Sequence, residues 1–204
     1  MILAGGKGSR MNYSDKPLLE IGGRTIIESI LDIANRQVGR LIINVNCSHE
    51  LYNRFNVPII SDSRGDFAGP LAGILSTIYW VTTHVPAAKI IVCFPGDVPW
   101  FPGDVVERML QAMQETGSEV VWLRTDGQVQ PLFSVWSITL GPALEDALAR
   151  GMYSPMQFIR SRRHATVDYH QLAPGFFNNI NTPEDLESAR GLAEQYAVLS
   201  KPAE

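Results

Sequence analysis

Three glycines and a serine stand close together in Leu3-Ala4-Gly5-Gly6-Lys7-Gly8-Ser9-Arg10-Met11. Residues without bulk let a backbone approach an anion and turn its N–H groups towards it. Lys7, Arg10 and Lys16 add positive charge nearby, so phosphate is the ligand this opening suits. The spacing is neither the dinucleotide fingerprint nor the P-loop, and a tight turn with solvated basic side chains is the competing explanation. Asp97 follows the apolar run Ile90-Ile91-Val92-Cys93-Phe94. A carboxylate there can hold a hard cation such as Mg²⁺, which prefers oxygen ligands, or cap a helix ahead of Pro99. Asn44 and Asp62 end two further apolar runs. An amide both donates and accepts, whereas a carboxylate only accepts, which suits sugar hydroxyls and ring N–H groups; turn chemistry is the alternative. No nucleophile is paired with a base, and His49, His84, His164 and His170 lack metal-ligand spacing.

The elements that must position these residues are legible as alternating patterns. Apolar runs at 1–4, 41–46, 57–61, 89–94, 119–123 and 132–136 read as strands. They are mostly continuous, as expected for strands covered on both faces. Amphipathic stretches at 25–37, 70–83, 103–115, 141–150 and 183–196 read as helices. Pro102 fits a first helical turn, and Thr182-Pro183-Glu184-Asp185 reads as an N-cap, an N1 proline and acids facing the helix dipole. Strand–helix alternation implies a mainly parallel sheet, and such sheets bind ligands beyond the carboxyl ends of their strands.

The 204 residues fit one large domain, with 45% apolar and 19% charged side chains, as in ordinary globular proteins. A net charge of −4 excludes a general attraction to nucleic acid or an anionic membrane, so phosphate-binding charge must be local. No run reaches the ~20 apolar residues of a membrane span, and no leader pattern opens the chain; a cytoplasmic protein is expected. Cys47 and Cys93 are expected as buried free thiols in strands. Trp80, Trp122 and Trp136 are expected in the core.

Taken in order, several segments carry a resemblance. They are Leu3-Ala4-Gly5-Gly6 with Arg10-Met11, Asp15-Lys16-Pro17-Leu18-Leu19, Asn44 with Asn46, Asp62-Ser63, Gly69-Pro70-Leu71-Ala72-Gly73, Gly96-Asp97-Val98-Pro99, Pro131-Leu132-Phe133 and Asn179-Ile180-Asn181-Thr182-Pro183. The set resembles the NTP-transferase superfamily and, within it, the molybdenum cofactor guanylyltransferases. It covers almost the whole chain, and the ordered set is specific where no single piece is. The resemblance implies one α/β domain over 1–204, a three-layer α/β/α, Rossmann-like fold with a mostly parallel sheet of the nucleotide-diphospho-sugar transferase type. A nucleotide-binding half of about 1–100 and an acceptor-binding half of about 101–204 follow from it. It implies transfer of GMP from GTP to molybdopterin with release of pyrophosphate. Lys16, Arg10 and Asp97 are the catalytic residues so implied. Leu3, Ala4, Gly5, Gly6, Lys16, Asn44, Asp62 and Asp97 are the implied nucleotide contacts, Asn179 and Asn181 the acceptor contacts, and Asp97 the Mg²⁺ ligand. GTP and molybdopterin are the implied substrates, with molybdoenzyme apoproteins or their chaperones as protein partners.

The chain departs from the family pattern in places. Asn12 replaces a usual glycine, and Met152-Tyr153-Ser154-Pro155-Met156 replaces a basic stretch, leaving Arg160, Arg162 and Arg163 as candidates for that charge. A cytidylyltransferase, a transferase for a sugar phosphate, and a nucleotide-binding accessory protein without turnover stay open as alternatives.

Overall fold

The computed structural model describes residues 1–5, 15–62, 69–170 and 172–199. It opens with β1 (Ile2–Leu3); a helical turn at Lys16–Leu18 then precedes a small hairpin of β2 (Glu20–Ile21) and β3 (Arg24–Thr25). α1 (Ile26–Ala34) starts at a capping box, in which Thr25 Oγ1 accepts the Glu28 N–H at 3.3 Å and the Glu28 carboxylate accepts the Thr25 N–H at 2.7 Å. There follow β4 (Ile43–Asn44), α2 (His49–Tyr52), β5 (Ile59–Ile60), α3 (Pro70–His84), β6 (Ile90–Pro95), α4 (Val105–Thr116), β7 (Val120–Thr125) and β8 (Gln128–Ser137). α5 (Gly141–Ala149), α6 (Pro155–Arg160), β9 (His164–Tyr169) and α7 (Pro183–Leu199) complete the chain.

Seven strands form one sheet in the order β5-β4-β1-β6-β8-β7-β9. Only β8 runs against the others, antiparallel to β6 and β7. Side chains alternate between two cores, because successive strand residues point to opposite faces. Ile2, Val92 and Phe94 join the layer under α1, α4 and α7, while Leu3, Ile91 and Cys93 join that under α3, α5 and α6. This is the expected three-layer sandwich. Among the described residues, no helix is long and apolar enough to cross a membrane.

Several details differ from the sequence expectations. β9, the β2–β3 hairpin, α2 and α6 are additional; short polar elements such as His164-Ala165-Thr166-Val167-Asp168-Tyr169 lack a continuous apolar run. α4 begins three residues after Pro102, and its start is capped from afar: Gln37 Oε1 accepts the Val106 N–H at 3.1 Å while Gln37 Nε2 donates to the Pro102 carbonyl at 3.3 Å. Cys93 is buried as expected, and burial pushes its thiol up to about 12. Cys47 is exposed, because β4 stops at Asn44 and the chain has already bent away. Trp122 and Trp136 are core residues; Trp80 is half-buried and stacks on His84, 4.4 Å between ring centroids.

Candidate active site

The carboxyl ends of β1, β4 and β6 meet because backbone packs on backbone. Gly96 N–H donates to the Leu3 carbonyl at 2.9 Å, and a Cβ on Gly96 would lie 2.5 Å from that oxygen. Glycine is therefore required there. The consequence is that Asp97 is delivered beside Ala4 and the exposed Gly5. α3 is seated as closely: a Cβ on Gly73 would fall 2.6 Å from both Asn44 Oδ1 and Leu3 Cδ2.

Asp97 is half-buried. Burial raises its carboxyl above the ordinary carboxylate value, opposed by the nearby Lys16 ammonium and by its own backbone N–H. Lys16 donates from Nζ to Asn181 Oδ1 at 2.9 Å. The turn carrying Asn181 is tied back to Asp97, since Ile180 N–H donates to the Asp97 carbonyl at 2.9 Å. Asp97, Lys16, Gly5 and Asn181 thus converge although the chain separates them widely. Among the described residues no group of three His, Cys, Asp or Glu converges as a metal cage. A single half-buried carboxylate does fit a hard ion that keeps waters and substrate phosphates as its other ligands, the habit of Mg²⁺.

On one side of this centre lies an amide–carboxylate triad. Asn44 Nδ2 donates to Asp62 Oδ1 at 3.0 Å, Asn46 Nδ2 donates to Asp62 Oδ2 at 2.8 Å, and Asn46 Oδ1 accepts the Asp62 backbone N–H at 2.8 Å. Asn44 is 2% exposed, so its amide serves Asp62 and the seat of α3 rather than open space. Asn46 borders Gly5, its Nδ2 3.5 Å from where a Gly5 Cβ would stand. The half-buried Asp62 is the member of the triad that keeps lone pairs for a ligand. Ser61 Oγ and His49 Nε2 lie 2.8 Å apart, a spacing that invites a nucleophile–base reading. His49 Nε2 also faces the Val45 carbonyl at 2.8 Å, which can only accept, so that nitrogen carries a hydrogen and is no base for Ser61.

On the other side opens a cavity of about 640 Å³. Segments that follow the carboxyl ends of β6, β7 and β9 line it, including Trp100, Gln128, Gln130, Asn178 and Asn179, with Asp185, whose carboxylate feels the Lys16 ammonium, in its wall. No described lining residue is a lysine or arginine. Side-chain amides and an aromatic ring suit a flat, neutral ligand with donors and acceptors on its edge.

Residues 1–167 match the MobA-like NTP transferase domain family. The chain belongs to that family. It is 33% identical over 194 residues to the molybdenum cofactor guanylyltransferase of Rhodopseudomonas palustris (strain HaA2), covering 95% of this chain and 91% of the relative. To the enzyme of the same name from Mannheimia succiniciproducens it is 35% identical over 188 residues, covering 92% and 96%. Its fold is similar to the crystal structure of molybdopterin-guanine dinucleotide biosynthesis protein A from Archaeoglobus fulgidus, with a TM-score of 0.76 at 20% identity over 95% of this chain and 97% of that one.

In this MobA-like transferase the sequence-derived residues fall as follows. Leu3, Ala4, Gly5, Lys16, Asn44, Asp62 and Asp97 gather at one edge of the sheet, whereas Gly6 and Arg10 lie outside the described residues. Asn179 lines the cavity, but Asn181 turns to Lys16. Arg160, Arg162 and Arg163 do not replace the missing basic stretch. They precede β9 and so lie at the opposite edge, with Arg162 over the Phe158 ring at 5.0 Å and Arg163 3.8 Å from Glu119. The sequence pattern did not point to Asp185, Gln128, Gln130 or Trp100, which line the cavity. Asp185 left a signal, since an acid three residues after Thr182 is a capping spacing; the two glutamines left none, as polar hairpin residues resemble any solvated strand.

Proposed function

We propose that this MobA-like transferase moves GMP from GTP to molybdopterin, releasing pyrophosphate, and uses Mg²⁺. The observation that carries the reading is the convergence of Lys16 and Asp97 between the Asp62 triad and the amide-lined cavity. A nucleoside held by Asp62 and Gly5 would point its phosphates at Lys16. An acceptor in the cavity would present its phosphate to the same place.

The reaction is a direct displacement. An oxygen of the acceptor phosphate forms a bond to the α-phosphorus of GTP. The bond from that phosphorus to the α,β-bridging oxygen breaks, and pyrophosphate leaves with the electron pair. A phosphate monoester is already anionic near neutral pH, with a second pKa near ~6, so no protein base is needed. Lys16 stabilises charge on the phosphate oxygens as the phosphorus becomes crowded, and the triad and cavity align the two reactants. Asp97 would hold the magnesium, which when bound neutralises triphosphate charge and favours the leaving group.

Titration calorimetry with Mg²⁺ tests the nucleotide: GTP should bind more tightly than CTP, and the reverse order would make this a cytidylyltransferase. A pyrophosphate-release assay with GTP and molybdopterin tests turnover. Nucleotide binding without release would leave a non-catalytic binding protein.

A further inference from the structure

Asp185 sits at the start of α7, where a carboxylate is normally explained by the helix dipole. Its contacts reach further than that. One oxygen, Oδ2, accepts both the Asn181 N–H and the Thr182 N–H, each at 2.8 Å, while Thr182 Oγ1 accepts the Asp185 N–H at 3.2 Å. The turn that these bonds fix carries the Asn181 side chain, whose Oδ1 accepts from Lys16 Nζ at 2.9 Å across 165 residues of sequence. The same turn is pinned at its other end by the bond from Ile180 N–H to the Asp97 carbonyl. Among the described residues, the Lys16 ammonium is therefore directed by the turn that leads into α7.

We infer that Asp185 is a positioning residue for Lys16, acting through Asn181, and that Asn181 serves the phosphate-binding lysine rather than the acceptor. A long ammonium side chain loses rotamer freedom when it binds phosphate, and a preset acceptor removes much of that cost before the ligand arrives. Asn181 suits the task because its neutral oxygen orients the ammonium without cancelling the charge that phosphate must meet. Asp185 also stands in the wall of the cavity, so the relay joins the acceptor side of the site to the phosphate side. The geometry of the relay stands without the proposed reaction; its benefit to catalysis rests on that reading.

The relay is tested on Lys16 itself. Acylation of lysines by a water-soluble active ester, followed by mass spectrometry, measures how freely the amine leaves its partner, with the exposed Lys89 as internal reference. Asp185→Ala should speed acylation of Lys16 relative to Lys89 by about tenfold, the factor expected when a hydrogen bond to a charged group is lost. Asn181→Ala should do the same while leaving the Thr182–Asp185 cap in place. Asp185→Asn, which keeps an oxygen for both backbone N–H groups, should stay near the parent protein. An unchanged Lys16 rate in Asp185→Ala, with a lowered melting temperature, would overturn the inference and leave Asp185 as a helix cap only. If Asp185→Ala does not fold, an unchanged rate in Asn181→Ala overturns it equally. Pyrophosphate release is measured separately, so failure of the proposed reaction and failure of the relay give different results.

Discussion

Asn46 holds Asp62 at two points, donating to Oδ2 at 2.8 Å and accepting the Asp62 backbone N–H at 2.8 Å. This pair fixes the plane of the carboxylate before any ligand arrives. A hydrogen bond to a charged group contributes about 1.5–3 kcal/mol, so Asn46→Ala should raise the dissociation constant for GTP roughly 10- to 100-fold. Calorimetry checks this; an unchanged constant would mean that Asp62 needs no external alignment.

The seat of α3 allows a second test of the same triad from behind. A Cβ on Gly73 would meet Asn44 Oδ1 and Leu3 Cδ2 at 2.6 Å. Overpacking of this kind costs about 1–3 kcal/mol. Gly73→Ala should lower the melting temperature and, by displacing Asn44, weaken GTP binding. Loss of stability with full GTP affinity would show that Asn44 is not coupled to the nucleotide.

Much of this arrangement was legible in the sequence, for a physical reason. Strands buried on both faces are continuously apolar, so β1, β4, β5, β6, β7 and β8 announce themselves, and the residues that end the parallel strands fall at the ligand-binding edge, whereas the reversed β8 ends at the opposite one. Gly5, Asn44, Asp62 and Asp97 are placed by that rule alone. The cavity was not legible, because Trp100, Gln128 and Asn179 are brought together by β8 turning back at the Asp126–Gly127 hairpin and by the turn after β9. Local pattern carries no record of such pairing. The direction of the Asn181 side chain was equally hidden, since spacing gives a residue's place on the chain and not which of two neighbouring sites it faces.

On the proposed reaction Asp97 makes opposite demands on stability and catalysis. Its carboxyl is raised by burial, so the folded state binds the proton more tightly than the unfolded chain does. The fold is therefore favoured at pH below the ordinary carboxylate range, and that advantage is lost as the pH rises through the raised value. At pH 7, without nucleotide or metal, Asp97→Asn should melt above the parent protein, and the gap should close as the pH falls. The same variant should lose at least ~10²-fold in rate, by analogy with other removed electrostatic stabilisers. Melting curves from pH 4 to 7 and a single-turnover assay with Mg²⁺ check the two halves. Full turnover in Asp97→Asn would sink the assignment.

On the proposed reading the cavity takes the acceptor and the Asp62 side takes the nucleotide, and this separation can be measured. Gln128 is exposed within it, and the half-buried Gln130 is held by a bond from its Nε2 to Thr125 Oγ1 at 3.0 Å. Gln128→Ala removes one amide without disturbing that bond or the core. A lost neutral hydrogen bond contributes about 0.5–1.5 kcal/mol, so the KM for molybdopterin should rise roughly 2- to 10-fold while the GTP dissociation constant stays fixed. Trp100→Leu removes the aromatic face and should act in the same direction, because flat heterocycles gain by stacking. Both effects should fall on the acceptor alone, since Asn46, Asp62 and Gly5 lie on the far side of Asp97 and Lys16. Equal losses for GTP and acceptor would indicate that the variants loosen the whole edge of the sheet, and an unchanged acceptor KM in both would place the acceptor elsewhere.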